Sequence, residues 1–185
     1  SLCGKWFEVF YKHLKELNEV ANTNGWCYVY NQPQHYLSRI VKDLGHARIV
    51  LGDSSDIDIE SWEKIIEHGE EFQELYRQIN LEYQKIKNME WNSDNTIIGG
   101  LDYGPDNTLY CNGEYRLIDF EDIRHVDLSF FAAKLWRRTM INADDSKLLK
   151  ELSQYQVNDA WIKQYYELKH IFILQRKMRE LIKNR

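Results

Sequence analysis

The chain of 185 residues (22.3 kDa) is 43% hydrophobic and 14% aromatic, enough for a buried core and too apolar for a disordered chain. Against 29 acidic side chains stand 24 basic ones, and the net charge of −5 argues against the basic stripe of a dedicated nucleic-acid binder. Three cysteines without close spacing argue against a disulfide framework or a zinc site and point to a reduced, cytoplasmic setting; no apolar run reaches the ~20 residues of a membrane span, and no signal peptide opens the chain.

Leu2, Trp6, Phe10, Leu14 and Leu17 recur at spacings of three and four, which predicts a helix with one apolar face over residues 2–22. The turn residues "NTNG" (22–25) close it. The stretch 26–52 is mixed: "HYLSRIVKDL" predicts a short helix and "ARIVL" (47–51) a brief strand. Asp56 or Asp58 then caps a long helix running to about residue 89, with Ile65, Phe72, Leu75, Ile79 and Ile86 among its apolar positions.

There the period changes. "NTIIGG" reads as a strand and leads into the loop "GLDYGPDNTLY" (100–110). "TLYC" and "EYRLIDF" are two β-rich runs separated by Asn112-Gly113, a strong short-hairpin signal, because both residues tolerate the left-handed backbone of a tight turn. After Arg124 the helical period returns. "VDLSFFAAKLWRRTM" predicts one helix capped by Asp127 or an earlier residue, "DDSKLLKELSQY" (144–155) a second, and 158–184 a third. Basic residues cluster towards the end of that last helix, where they complement its dipole. No internal repeat, low-complexity segment or domain boundary shows, so the expectation is one domain over 1–185, α+β and mainly α, with helices around a small β-hairpin.

The residues that carry chemistry gather at that hairpin. Asp102 and Asn107 lie five apart on one loop, and Asp119 lies twelve beyond Asn107, at the end of the second strand. A tight hairpin returns its second strand beside the first, so Asp119 comes back towards Asn107. Carboxylate and carboxamide oxygens are the hard ligands that Mg²⁺ prefers, and a separate aspartate can take a proton from an attacking hydroxyl. The six histidines show no ligand spacing.

The run "GLDYGPDNTLY…RLIDFED…VDL" resembles the aminoglycoside phosphotransferase and choline kinase families, small-molecule kinases with a protein-kinase-like fold. Their motif reads H-G-D-x-x-x-x-N, then a hairpin ending in I-D-F/W-[DE], then D-L near the start of a helix. "CGKWFEVFYKHL" is similar to a helix at the front of the same lobe. The resemblance implies a protein-kinase-like carboxy-terminal lobe, with its specific part at residues 98–128. It implies Asp102 as catalytic base, Asn107 and Asp119 as magnesium ligands, and Asp127 as the structural support of the catalytic loop. Mg²⁺ and ATP (or GTP) are the implied cofactor and phosphoryl donor, and a small hydroxyl-bearing molecule is the acceptor. Acidic residues of the later helices, Asp159 and Glu167, are candidate substrate contacts. Neither nucleic acid nor membrane is expected as a partner.

Two departures stand out. Gly100 occupies the position of the motif His and Leu101 that of the motif Gly. Neither a Gly-rich loop nor a strand lysine of an amino-terminal lobe is found, so half of the expected nucleotide clamp is absent from these residues. The same departures fit a second expectation, a kinase-like protein that has lost catalysis and serves as a binding or structural module.

Overall fold

A computed structural model describes residues 2–25, 59–89, 95–100, 103–119, 123–139, 145–156 and 158–183. The helix and strand expected between 26 and 52, and the caps Asp56 and Asp58, lie outside them. Among the described residues the elements are α1 (Leu2–Asn24), α2 (Ile59–Lys87), β1 (Thr96–Gly100), β2 (Thr108–Cys111), β3 (Glu114–Leu117), β4 (Ile123–Asp127), α3 (Leu128–Thr139), α4 (Asp145–Leu152) and α5 (Ala160–Lys183). The class is therefore α+β and mainly helical. No helix among these residues is long and apolar enough to cross a membrane.

Where the sequence shows no boundary, the packing divides the chain into two compact units. Ser1–Gln32 with Trp91–Tyr165 form the first, and Pro33–Glu90 with Tyr166–Arg185 form the second. In the second, α2 buries Phe72, Leu75, Ile79 and Ile86, and its share of α5 buries Leu168, Ile171, Phe172 and Leu174. Each such side chain contributes roughly 1.5–3 kcal/mol of hydrophobic stabilisation. All the motif residues belong to the first unit.

The predicted helix over residues 2–22 forms as α1, but its buried stripe is not quite the one expected. Trp6, Phe10, Leu14 and Ala21 are buried, and the polar Asn18 joins them in place of Leu17, which is only half-buried. The reason lies across the core. Asn18 Nδ2 donates to the carbonyls of Leu14 (2.8 Å) and Ile98 (2.8 Å), while Ile98 N donates to Asn18 Oδ1 (3.0 Å). One carboxamide thus satisfies both backbone groups of a buried strand residue, as a neighbouring strand would.

Among the described residues the β structure is two antiparallel pairs. The β2–β3 hairpin turns at Asn112 (φ 53°) and Gly113 (φ 85°), both left-handed as a type I′ turn requires. The second pair corrects the sequence reading: Val126 and Asp127, expected to open the helix, end strand β4 (Ile123–Asp127), which pairs with β1 from Thr96↔Asp127 to Gly100↔Ile123. The helix begins one residue later than Asp127. β1 and β4 form long-range hydrogen bonds that a helical pattern cannot announce, and the apolar Val126 and Leu128 merge visually with the helix that follows. α3 then folds its apolar face back, burying Phe130, Phe131, Ala132, Ala133 and Leu135. Phe131 packs so closely on β1 that a Cβ at Gly99 would stand 2.6 Å from its ring.

Candidate functional site

The loop between β1 and β2 is held by α1 and α3. Tyr103, 3% exposed, sets its ring edge-on to Phe10 (5.4 Å between centroids) and to His13 (5.8 Å). Its hydroxyl lies 3.3 Å from His13 Nε2. Burial of His13 lowers its pKa below the usual 6.5, with Glu16 pulling the other way, so the neutral imidazole is favoured. Further along, Trp6 Nε1 donates to Thr108 Oγ1 (2.7 Å), which in turn donates to the carbonyl of Gly104 (3.1 Å). From α3, Arg138 reaches Asp106 at 3.1 Å, a partly exposed pair of modest energetic weight. Pro105–Asn107 form one 3₁₀ turn, in which Asn107 N donates to Gly104 O at 3.1 Å.

On this frame Asn107 and Asp119 meet. The hairpin pairs Thr108 with Leu117, so the next position outward sets Asn107 opposite Ile118, and Ile118 N donates to Asn107 O at 3.0 Å. Strict alternation would send the side chain of Asp119 to the other face. Asp119 instead adopts a left-handed backbone, φ 67°, which breaks the alternation. Its carboxylate comes to 3.5 Å from the Asn107 carboxamide (Nδ2 to Oδ2), the expected convergence of these two residues. Aspartate tolerates this conformation better than most residues, yet the strain is real, and such strain concentrates at functional sites.

A carboxylate and a carboxamide side by side, Asp119 exposed and Asn107 half-buried, suit a hard cation that keeps positions for water and phosphate oxygens. Rotation of the Asn107 carboxamide brings its oxygen to the carboxylate side, since amide orientation follows the partner present. Among the described residues no group of three or more His, Cys, Asp or Glu forms a metal site. Asp102, the expected base, lies outside the described residues, but its neighbours Gly100 and Tyr103 do not.

Asp127 is a buried cap. Its Oδ1 accepts from Phe130 N (3.0 Å) and from the hydroxyl of Ser129, so the expected capping of the helix is observed. Its Oδ2 is buried and has no hydrogen-bond partner among the described residues. Burial holds the carboxyl pKa above the usual carboxylate range, and the hydrogen bonds from Ser129 and Phe130 offset only part of that rise. Asp159 precedes α5 on an exposed turn, where its carboxylate accepts from Gln156 Nε2 (3.0 Å) and its carbonyl from Ile162 N (3.1 Å). Glu167 is half-buried on the part of α5 that belongs to the second unit.

Sequence reasoning passed over Tyr103, His13 and Asn18. Only Asn18 left a signal, a polar residue four beyond Leu14 on an apolar helical stripe. His13 and Tyr103 are ninety positions apart and carry none. Comparison with models of protein families, with curated proteins and with solved structures finds no match.

Proposed function

We propose that the chain is a kinase-like carboxy-terminal lobe that takes part in Mg²⁺-dependent transfer of the γ-phosphoryl group of ATP, or of GTP, to a hydroxyl of a small molecule. The observation that carries this reading is the meeting of Asn107 and Asp119, enforced by the left-handed backbone at Asp119. Bound Mg²⁺ would supply electrostatic neutralisation of the phosphate oxygens. In this reading Asn107 and Asp119 hold that ion at the mouth of the hairpin. Asp102 orients the acceptor hydroxyl and takes its proton as the oxygen bonds to the γ-phosphorus and the bond to the bridging oxygen of the nucleoside diphosphate breaks.

The Oδ2 of Asp127, buried with no donor among the described residues, supports the same reading, because an acceptor buried without a donor costs about 1–3 kcal/mol and is kept where something uses it. The strand pairing places Asp127 opposite Thr96, on the strand that delivers the loop. Asp159 and Glu167 remain proposed acceptor contacts on their acidic chemistry alone.

The test is calorimetric titration of the full-length protein with ATP, with and without Mg²⁺. Mg²⁺-dependent binding that disappears in Asp119→Ala is the expected result. A folded wild type that binds no nucleotide under either condition overturns the enzyme reading in favour of a binding or structural module.

A further inference from the structure

Glycine at position 100 has no conformational reason, since positive φ at glycine is found among the described residues only at Gly25 and Gly113. Its reason is space. A Cβ there would lie 3.1 Å from Tyr103 Cζ, 3.2 Å from Cε1 and 3.4 Å from Cε2, so the tyrosine ring rests on the bare backbone of Gly100. The same ring is closed in by Phe10 and His13 on α1 and is 3% exposed. The residues immediately flanking Leu101 and Asp102 are therefore stacked on one another and fixed to a helix.

The fixation propagates forward. Gly104 follows Tyr103 directly, and its carbonyl accepts both Asn107 N (3.1 Å) and Thr108 Oγ1 (3.1 Å). It propagates backward too, because Gly100 is the last rung of the β1–β4 ladder, opposite Ile123. We propose that Tyr103, seated on Gly100 and tied to His13, is the positioning residue of the 103–107 segment that bears Asn107. It touches no reacting atom; it sets where the Asn107 side chain stands. The inference rests on the phosphotransfer reading for what Asn107 does, and on the contacts alone for what Tyr103 holds.

Two readouts keep the two apart. The first is amide hydrogen exchange at Asn107, measured against Ile98, whose amide is bonded to Asn18 of α1 and not to Tyr103 or its loop. Tyr103→Leu is expected to speed exchange at Asn107 by about tenfold or more while Ile98 holds, and Tyr103→Phe, which keeps the ring, to give a smaller increase. The second is slow transfer from Mg·ATP to water, read as ADP release by the full-length protein. There kcat is expected to fall by up to about 100-fold in Tyr103→Leu with KM for Mg·ATP little changed, and to be largely retained in Tyr103→Phe.

A paired substitution guards against a variant that merely unfolds. Gly100→Ala pushes a methyl group into the ring, so it is expected to lower the melting temperature of the wild type more than that of the Tyr103→Leu background. Unchanged exchange at Asn107 in Tyr103→Leu, or equal effects of Gly100→Ala in both backgrounds, overturns the positioning role whatever the activity. Accelerated exchange together with a wild type that transfers no phosphoryl group upholds the anchor and overturns the phosphotransfer reading alone.

Discussion

Replacing Asp119 separates its backbone from its carboxylate. An L-residue held in the left-handed region pays roughly 1–2 kcal/mol, which aspartate partly recovers and alanine does not. Glycine pays no steric cost there but loses about 0.4–1 kcal/mol through the greater freedom of its unfolded chain. With φ at 67°, Asp119→Ala is therefore expected to be less stable than Asp119→Gly by about 1 kcal/mol. For a chain of this length that difference appears as about 2–4 °C in thermal unfolding. Neither variant can offer a carboxylate to a cation, so both are expected to lose the rise in melting temperature that Mg·ATP gives the wild type, worth about 2.7 kcal/mol at a hundredfold excess over Kd. An alanine variant as stable as the glycine one would refute the backbone assignment. A Mg·ATP shift that survives in both would refute the role of the carboxylate, and the two refutations are independent.

Two further outcomes follow from the packing around the loop. Asn18→Leu keeps the volume but strands the N–H and C=O of Ile98 in the core, and is expected to cost about 2–4 kcal/mol, seen as a lower urea midpoint with an unchanged slope. A cost below about 1 kcal/mol would mean that water or relaxation replaces the lost bonds. The pKa of His13 is lower in the folded state than its usual 6.5, so its contribution to stability is complete above that value. It is lost as pH falls below 6.5 and through the lower folded-state value, because the unfolded chain takes up the proton first. His13→Leu is accordingly expected to flatten the pH dependence of the urea midpoint below pH 6.5. An unchanged slope in that window would exclude His13 as its source.

What the sequence makes legible here is local. Asn112-Gly113 announces the hairpin because two left-handed positions in a row demand such residues, and the hairpin's register returns the chain at residue 119 towards residue 107, though not the side chain to its face. The helices follow from apolar spacing and needed no tertiary knowledge. Strand β4 was hidden because its pairing to β1 spans the whole hairpin, and "IRHVD" alternates too weakly to reveal a face. The left-handed turn at Asp119 was hidden as well, because aspartate before phenylalanine carries no turn signal.

The candidate site is built of exposed chemistry on a buried support. Its two meeting side chains lie near the surface and one of them is strained, whereas the groups that hold their backbone are buried, or half-buried for His13, and come from α1: Trp6 through Thr108, Phe10 and His13 through Tyr103, and Asn18 through Ile98. Each of these ties joins residues 80 to 102 positions apart where it is a hydrogen bond. Local propensity therefore supplies the loop and the hairpin, while a single helix face supplies their aim. Substitutions along that face should then alter the loop's geometry without touching Asn107 or Asp119, and Gly100 illustrates the reason. The side chain missing from position 100 is compensated by one that arrives three residues later and is held from across the core.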